Sequence, residues 1–241
     1  MVTSTAFQKA SLVNLSLQES LWPRIDMIAS NLSNATTNGF KALIAVPKPV
    51  EKKDTESISF VGMTTFIPDM RQGPLKQTGQ SLDMAIQGEG FFGVSGNRFT
   101  RNGQFKINEN GLLSTLNGDL VRGEGGGEIS IPSESKSIMV ARDGTISNEN
   151  GILGKLEIVR FDDPKTLKSI GNSLFTSSTL PQPAQDVSII QGAVEESNVE
   201  AISELVNLMQ VHRLYEESQK FHEKEDDRKK KLMNVSAKNA A

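Results

Sequence analysis

Residues 88–113 read GEGFFGVSGNRFTRNGQFKINENGLL. A β-friendly run, Phe91-Phe92-Gly93-Val94, is followed by turn signals at Ser95-Gly96-Asn97 and Asn110-Gly111. Gly and Asn in such places supply the left-handed backbone that tight hairpins need. The rhythm continues outward. Asn117-Gly118, Asp143-Gly144 and Asn150-Gly151 punctuate the runs Ile129-Ser130-Ile131, Ile138-Met139-Val140 and Leu156-Glu157-Ile158-Val159. Short runs with frequent turns predict a mostly antiparallel all-β domain, placed at residues 42–195. Two stretches interrupt it and read as loops: Pro47 to Ser57, rich in Lys and Glu, and TSSTLPQPAQD from Thr176 to Asp186.

Both flanks keep a helical period. Residues 3–36 contain no Gly, and Leu21, Ile25, Ile28 and Leu32 step by 4, 3 and 4 along one face. That stripe is narrow, the width of a helix–helix seam. Pro23 falls inside it, and an interior Pro removes a backbone donor and costs about 3 kcal/mol or more. The expectation is a kink, two helical pieces, or a regular helix starting near Ser20. Asn38-Gly39 follows, with Gly39 suited to the left-handed residue that ends a helix and Phe40 to anchoring the chain on the β domain. Residues 198–233 lack Gly and Pro. Ser197-Asn198 offers an N-cap, and Ile202, Leu205, Met209 and His212 step by 3, 4 and 3. Glu225, Asp226 and Asp227 each precede a Lys by four residues, a spacing that supports an exposed helix. The tail from Asn234 to Ala241 is expected to fray. The fold class is therefore α+β. Terminal helices (1–41 and 196–241) pair as an inner helical domain, and the β domain is the central part of the chain between them. A lone helix is marginal in water and gains most of its stability from packing, so these ends look for partners.

Composition narrows the function. The 241 residues carry 26 Lys+Arg against 29 Asp+Glu, a formal charge of −3, without the basic excess of a nucleic-acid binder. There is no Cys, which excludes disulfides, thiol chemistry and Cys-ligated zinc. No apolar run reaches the roughly 18 to 20 residues of a membrane span, and no secretory signal pattern is visible at the N-terminus. Gly88-Glu89-Gly90-Phe91-Phe92-Gly93 matches the dinucleotide pattern G-x-G-x-x-G. That motif works by opening a helix whose N–H groups face a pyrophosphate, and here a turn follows instead. The Gly cluster at Gly123 to Gly127 lacks a following Gly-Lys-Ser/Thr and reads as a flexible hairpin or loop. His212, on the helix seam, reads as a partly buried packing residue, and His222 as solvated. No nucleophile, base and carboxylate set is apparent, so no enzyme activity, cofactor, metal or small-molecule substrate is expected.

Four segments carry a family pattern: IASNLSNATTNGFK (Ile28–Lys41), DMAIQGEGFFGV (Asp83–Val94), FTRNGQFKINENGLL (Phe99–Leu113) and QGAVEESNVE (Gln191–Glu200), the last followed by LVNLMQVHRLYE. Together they resemble the bacterial flagellar rod and hook axial proteins. The resemblance covers nearly the whole chain, in order. Ser30-Asn31-Leu32 stands where Asn-Asn-Leu is usual, Ser33 where Ala is frequent, and the region from His222 to Lys231 is more charged than the family's usual ending. The resemblance implies a structural subunit whose terminal helices form the inner part of a tube in the periplasmic basal-body rod. Its partners would be other rod and hook subunits and the flagellar type III export apparatus, with export needing no cleaved signal. The expected assembly residues are Leu21, Ile25, Ile28, Leu32, Ile202, Leu205 and Met209, with Asn31, Asn34, Gly39, Phe40 and Asn198. The helix-end hydrogen bonding of Asn31 and Asn34 is an alternative role for that pair. Gly88, Gly90, Phe91, Phe92, Arg101, Gly103 and Phe105 form the core motif of the β domain. The other reading is a β-domain binding module that dimerises through its helices.

Overall fold

The structure, a computed structural model, describes residues 2–47, 64–163 and 166–238; residues 2–11, 47 and 232–238 are described by their backbone alone. By mutual contact the chain resolves into two compact units. One comprises Met1–Leu32, Ala45–Phe66 and Ala201–Ala241, and the other Ser33–Ile44 and Ile67–Glu200.

The helical unit contains α1 (Val2–Ser33) and α2 (Ala201–Lys238). Pro23 lies within α1 without splitting it, so the expected break is absent. Both Pro23 and Glu19, whose carbonyl loses its usual partner, are exposed, and water can serve that carbonyl. One turn either side, Leu21 and Ile28 are 1% and 2% exposed and pack with Val211. Leu17, Ile25, Met27, Leu208 and Tyr215 are partly buried around them. Burying a Leu or Ile side chain contributes about 1.5–3 kcal/mol, enough for two such residues to hold α1 against the cost of an interior Pro. The helix α2 runs on to Lys238, past the expected fraying point. Its acid–base pairs form at i,i+3, Glu225 with Arg228 and Asp226 with Lys229, and not at the four-residue spacing.

The β unit is largely antiparallel. Its main sheet has six strands in the order Leu167–Gly171, Leu174–Ser177, Arg98–Thr100, Phe91–Val94, Ile158–Arg160, Gln182–Pro183. Every neighbour pair in it is antiparallel. Three smaller pairs matter for the site: Ser188–Gln191 with Met84–Gln87, Ala193–Glu195 with Leu75–Gln77, and Phe105–Ile107 with Leu113–Thr115. The predicted turns hold: Gly96, Gly111, Gly118, Gly144 and Gly151 all have positive φ. The run Leu156–Val159 is not one strand. Ladder pairing stops at Lys155 and resumes at Ile158, with Leu156 held by an isolated bridge to Gly123. Ile129 and Ile131 lie in the core, beside a single bridge at Ser130. The Gly123–Gly127 segment is a tight hydrogen-bonded reversal, with Arg122 bridged to Glu128. The Thr176–Asp186 loop includes the edge strand Gln182–Pro183. Of the Pro47–Ser57 loop, residues 48–57 lie outside the described residues.

Two apolar clusters fill the unit. One is built on Met84, Ile86, Phe92, Phe105, Leu113 and Ile146, with Phe92 edge-on to Phe105 at 5.1 Å. The other is built on Phe91, Phe99, Val159, Leu167 and Phe175. Neighbouring residues Phe91 and Phe92 serve different clusters because adjacent strand side chains point to opposite faces.

Candidate functional site

The quoted segments of the β unit converge on one buried charge network. Lys41, the last residue of the first motif, places its Nζ 2.6 Å from Glu195 Oε1 and donates to the Arg71 carbonyl at 2.7 Å. Arg101 brings its Nε to 3.0 Å from Glu195 Oε2. Its two Nη atoms donate to the carbonyls of Gly90 at 2.6 Å and Gly88 at 2.8 Å. The three side chains are between 1% and 3% exposed. Gly73 N–H also donates to Glu195 Oε1. Burial pushes the Lys41 ammonium below its usual pKa, against the pull of Glu195. Burial likewise lowers Arg101. A buried charge is tolerable only when paired and hydrogen-bonded, and here two cations share one carboxylate.

The backbone around the network is equally constrained. Gly39 has φ +68°, donates its N–H to the Glu195 carbonyl at 2.7 Å, and leaves no room for a Cβ beside the Arg101–Asn102 peptide. Its role is this approach and not a helix end, since α1 stops at Ser33. Gly103 has the same restriction against the Met84 carbonyl. Asn198 does not cap α2, which begins at Ala201. Its Oδ1 accepts from Ala42 N–H at 2.7 Å, and its Nδ2 donates to the carbonyls of Asp69 and Arg71, both at 2.9 Å. Phe40, between Gly39 and Lys41, is half-buried. The site therefore fastens residues 39–42 to residues 195–198 within the β unit.

A cavity of about 190 Å³ adjoins the network, with Met70, Phe91, Phe161 and Leu167 on its apolar side. Lys41, Glu89, Arg101, Arg160 and Asp162 supply charge. These charges are largely spent on holding structure: Lys41 and Arg101 as above, and Arg160 at 3.7 Å from Asp162. Among the described residues no cluster of His, Cys, Asp or Glu is arranged to hold a metal ion. Among them, too, no helix is long and apolar enough to cross a membrane.

The assembly residues expected from periodicity fall into two groups. Leu21, Ile25 and Ile28 lie in the packed α1/α2 cluster, and Leu32 is half-buried. Asn31, fully buried, donates to Glu204 Oε1 at 3.2 Å. Asn34 lies beyond the helix in a turn, where its Oδ1 accepts from Thr37 Oγ1 and its Nδ2 donates to Ser33 Oγ. Ile202, Leu205 and Met209 are exposed, at 81%, 47% and 58%. His212 is exposed with them, 3.4 Å from Glu216, and not partly buried as expected, whereas His222 is half-buried. The face that α2 turns to α1 is Leu208, Val211, Tyr215 and Ser218, one step around the helix. On α1, Leu12, Leu15 and Trp22 are likewise exposed. Each helix thus has further apolar residues that nothing among the described residues covers.

A β unit whose segments 39–42 and 195–198 are tied together, in a chain whose helices carry exposed apolar residues, fits a subunit of an assembly. Known proteins agree. Residues 85–148 match the family model of the flagellar hook protein FlgE/F/G D1 domain, and residues 190–235 that of the flagellar basal body rod FlgEFG protein C-terminal region. The chain is 38% identical to the flagellar basal-body rod protein FlgF of Caulobacter vibrioides, over 86% of this chain and 89% of that protein. It is 33% identical to FlgF of Mesorhizobium japonicum, over 87% and 90%, and 33% identical to the rod protein FlgG of Buchnera aphidicola from Acyrthosiphon pisum, over 86% and 92%. The chain belongs to the flagellar basal-body rod protein family and is a structural subunit of that rod.

Proposed function

We propose that this subunit occupies an FlgF-like place in the proximal rod and helps transmit torque through the drive shaft. Residues 1–41 and 196–241 would form the inner, tube-building domain, and residues 42–195 the outer one. Export would run through the flagellar type III apparatus, without a cleaved signal, to a periplasmic rod, where other rod and hook subunits are its partners. The observation that carries this is the uncovered apolar face of α2 at Ile202, Leu205, Val206 and Met209. Contiguous exposed apolar surface marks a protein interface, and a head-to-tail contact that does not close builds an open helical filament. The 38% and 33% identities to FlgF over nearly full length favour the proximal place; the distal-rod place, with FlgG, is the other reading within the family. No catalytic role enters this function.

The test is deletion of the gene followed by electron microscopy of isolated basal bodies. A rod missing its proximal part supports the reading. A rod interrupted only distally moves the subunit to the FlgG-like place, and a complete rod overturns the assembly role.

A further inference from the structure

We propose that two partly buried polar pairs, Asn14–Ser218 and Asn31–Glu204, are the register keys of α1 and α2, deciding which turn of one helix faces which turn of the other. The geometry stands by itself; its consequence for assembly rests on the function proposed above.

The inward side of α2 runs Glu204, Leu208, Val211, Tyr215, Ser218, His222 and Glu225, all buried or half-buried, in steps of 4, 3, 4, 3, 4 and 3. A seven-residue repeat maps onto itself when the helix slides by seven residues, about 10 Å at the rise of an α-helix. Leu208 would then take the place of Tyr215, or Tyr215 that of Leu208. Apolar packing alone separates such registers weakly.

The polar pairs separate them sharply. Asn14 Nδ2 donates to the Ser218 carbonyl at 2.9 Å, and Ser218 Oγ donates to Asn14 Oδ1 at 2.6 Å. Ser218 is 4% exposed. At the other end of the apolar cluster stands Asn31, 0% exposed, with Glu204. A slide of seven residues sets Val211 or Glu225 where Ser218 was and leaves the Asn14 amide without its reciprocal partner. Buried polar groups left unsatisfied are costly, so the wrong registers are penalised at both ends. Glu204 keeps its place although its Oε2 is buried and makes no hydrogen bond among the described residues. An apolar residue would avoid that cost, which favours specificity as its role over stability. One register also fixes how the exposed residues of α1 stand level with those of α2, and so the surface offered to a neighbouring copy.

The chain supplies its own reporter. It has one Trp and one Tyr, and Trp22 meets Tyr215 edge-on with ring centroids 5.5 Å apart. The experiment compares full-length wild type with Asn14→Leu/Ser218→Ala and, separately, with Asn31→Leu/Glu204→Leu. The near-UV circular dichroism of Trp22 is read beside the far-UV helix signal, and Tyr215→Leu defines the uncoupled spectrum. The expected result is a retained helix signal, an equal or higher melting temperature, and a Trp22 signal reduced by about half or more as registers mix. An unchanged Trp22 signal in both double variants overturns the proposal. So does joint loss of helix and Trp22 signals, since the pairs would then be plain stabilisers. A wild-type spectrum equal to that of Tyr215→Leu overturns it as well. Leu205→Asp, on the uncovered face, should leave the Trp22 signal intact, so its failure to build rods would bear on assembly and not on register.

Discussion

Lys41 and Glu195 lie 154 positions apart in the chain and meet at 2.6 Å, each side chain 1% exposed. The pair joins the first motif to the last, and Arg101 adds the middle one. Removing one partner of such a pair strands a charge in the interior, which costs about 3–5 kcal/mol. Glu195→Gln should therefore lower the unfolding free energy of the chain by about that amount, leaving Lys41 and Arg101 without a counter-charge. Adding Lys41→Met to Glu195→Gln should recover part of the loss, as a double-mutant cycle in urea will measure.

Gly39 and Gly79 have nearly the same φ, +68° and +74°, but only Gly39 is pressed against another peptide. Gly79→Ala should cost about 1–2 kcal/mol, the left-handed penalty for an L-residue. Gly39→Ala should cost clearly more, because the new methyl also forces the Asn102 backbone away. Denaturation midpoints of the two variants, compared at equal m-value, separate conformational strain from steric displacement.

The apolar positions of α2 should divide by face. Val211→Asp puts a carboxylate into the packed cluster and should lower the melting temperature of the helical unit. Leu205→Asp and Met209→Asp change exposed positions and should shift the stability of the isolated chain by no more than about 0.5 kcal/mol. Both should nevertheless abolish swimming, scored on soft agar. Motile cells carrying Leu205→Asp/Met209→Asp would count against this face as an assembly surface.

Asp143 accepts from Thr145 N–H at 3.1 Å and from its hydroxyl at 2.8 Å. These bonds hold its carboxyl below the usual value of 3.8. A carboxyl whose pKa is depressed on folding adds stability above the unfolded value, and that stability is lost as pH falls through the folded one. Asp143→Ala should therefore lower the melting temperature at neutral pH. The difference from wild type should shrink below about pH 3.8 and vanish once both states are protonated. A gap that stays constant from pH 7 to pH 2 would show that the carboxylate charge is irrelevant.

The α+β class was legible because period and punctuation differ so plainly along the chain. Five Gly turns and a Gly-free flank leave few alternatives. The α1 stripe was legible too, since Leu21, Ile25 and Ile28 step by 4 and 3 and all lie in the packed cluster. On α2 the counted stripe, Ile202, Leu205 and Met209, is exposed, and the residues packed with α1 lie one step around the helix. Leu205, Leu208, Met209, Val211 and Leu214 spread over more than half the helix, and step lengths alone do not say which stripe meets α1. Ser218 and Glu204 also break the apolar run on the face that packs. The charge network was hidden for another reason. Lys41, Arg101 and Glu195 are residue types usually found at the surface, and their meeting depends on contacts between segments far apart in the chain. Asn198 read as an N-cap because its local setting suits one, yet three backbone groups from distant segments claim its side chain.

The pairing of residues 39–42 with residues 195–198 also has an evolutionary meaning. Because the tie lies inside the β unit, the spacing of those two segments is set by their own hydrogen bonds. Strands and turns elsewhere in the unit can be lengthened, trimmed or exchanged while that spacing holds, so lineages are free to restyle them without undoing the tie.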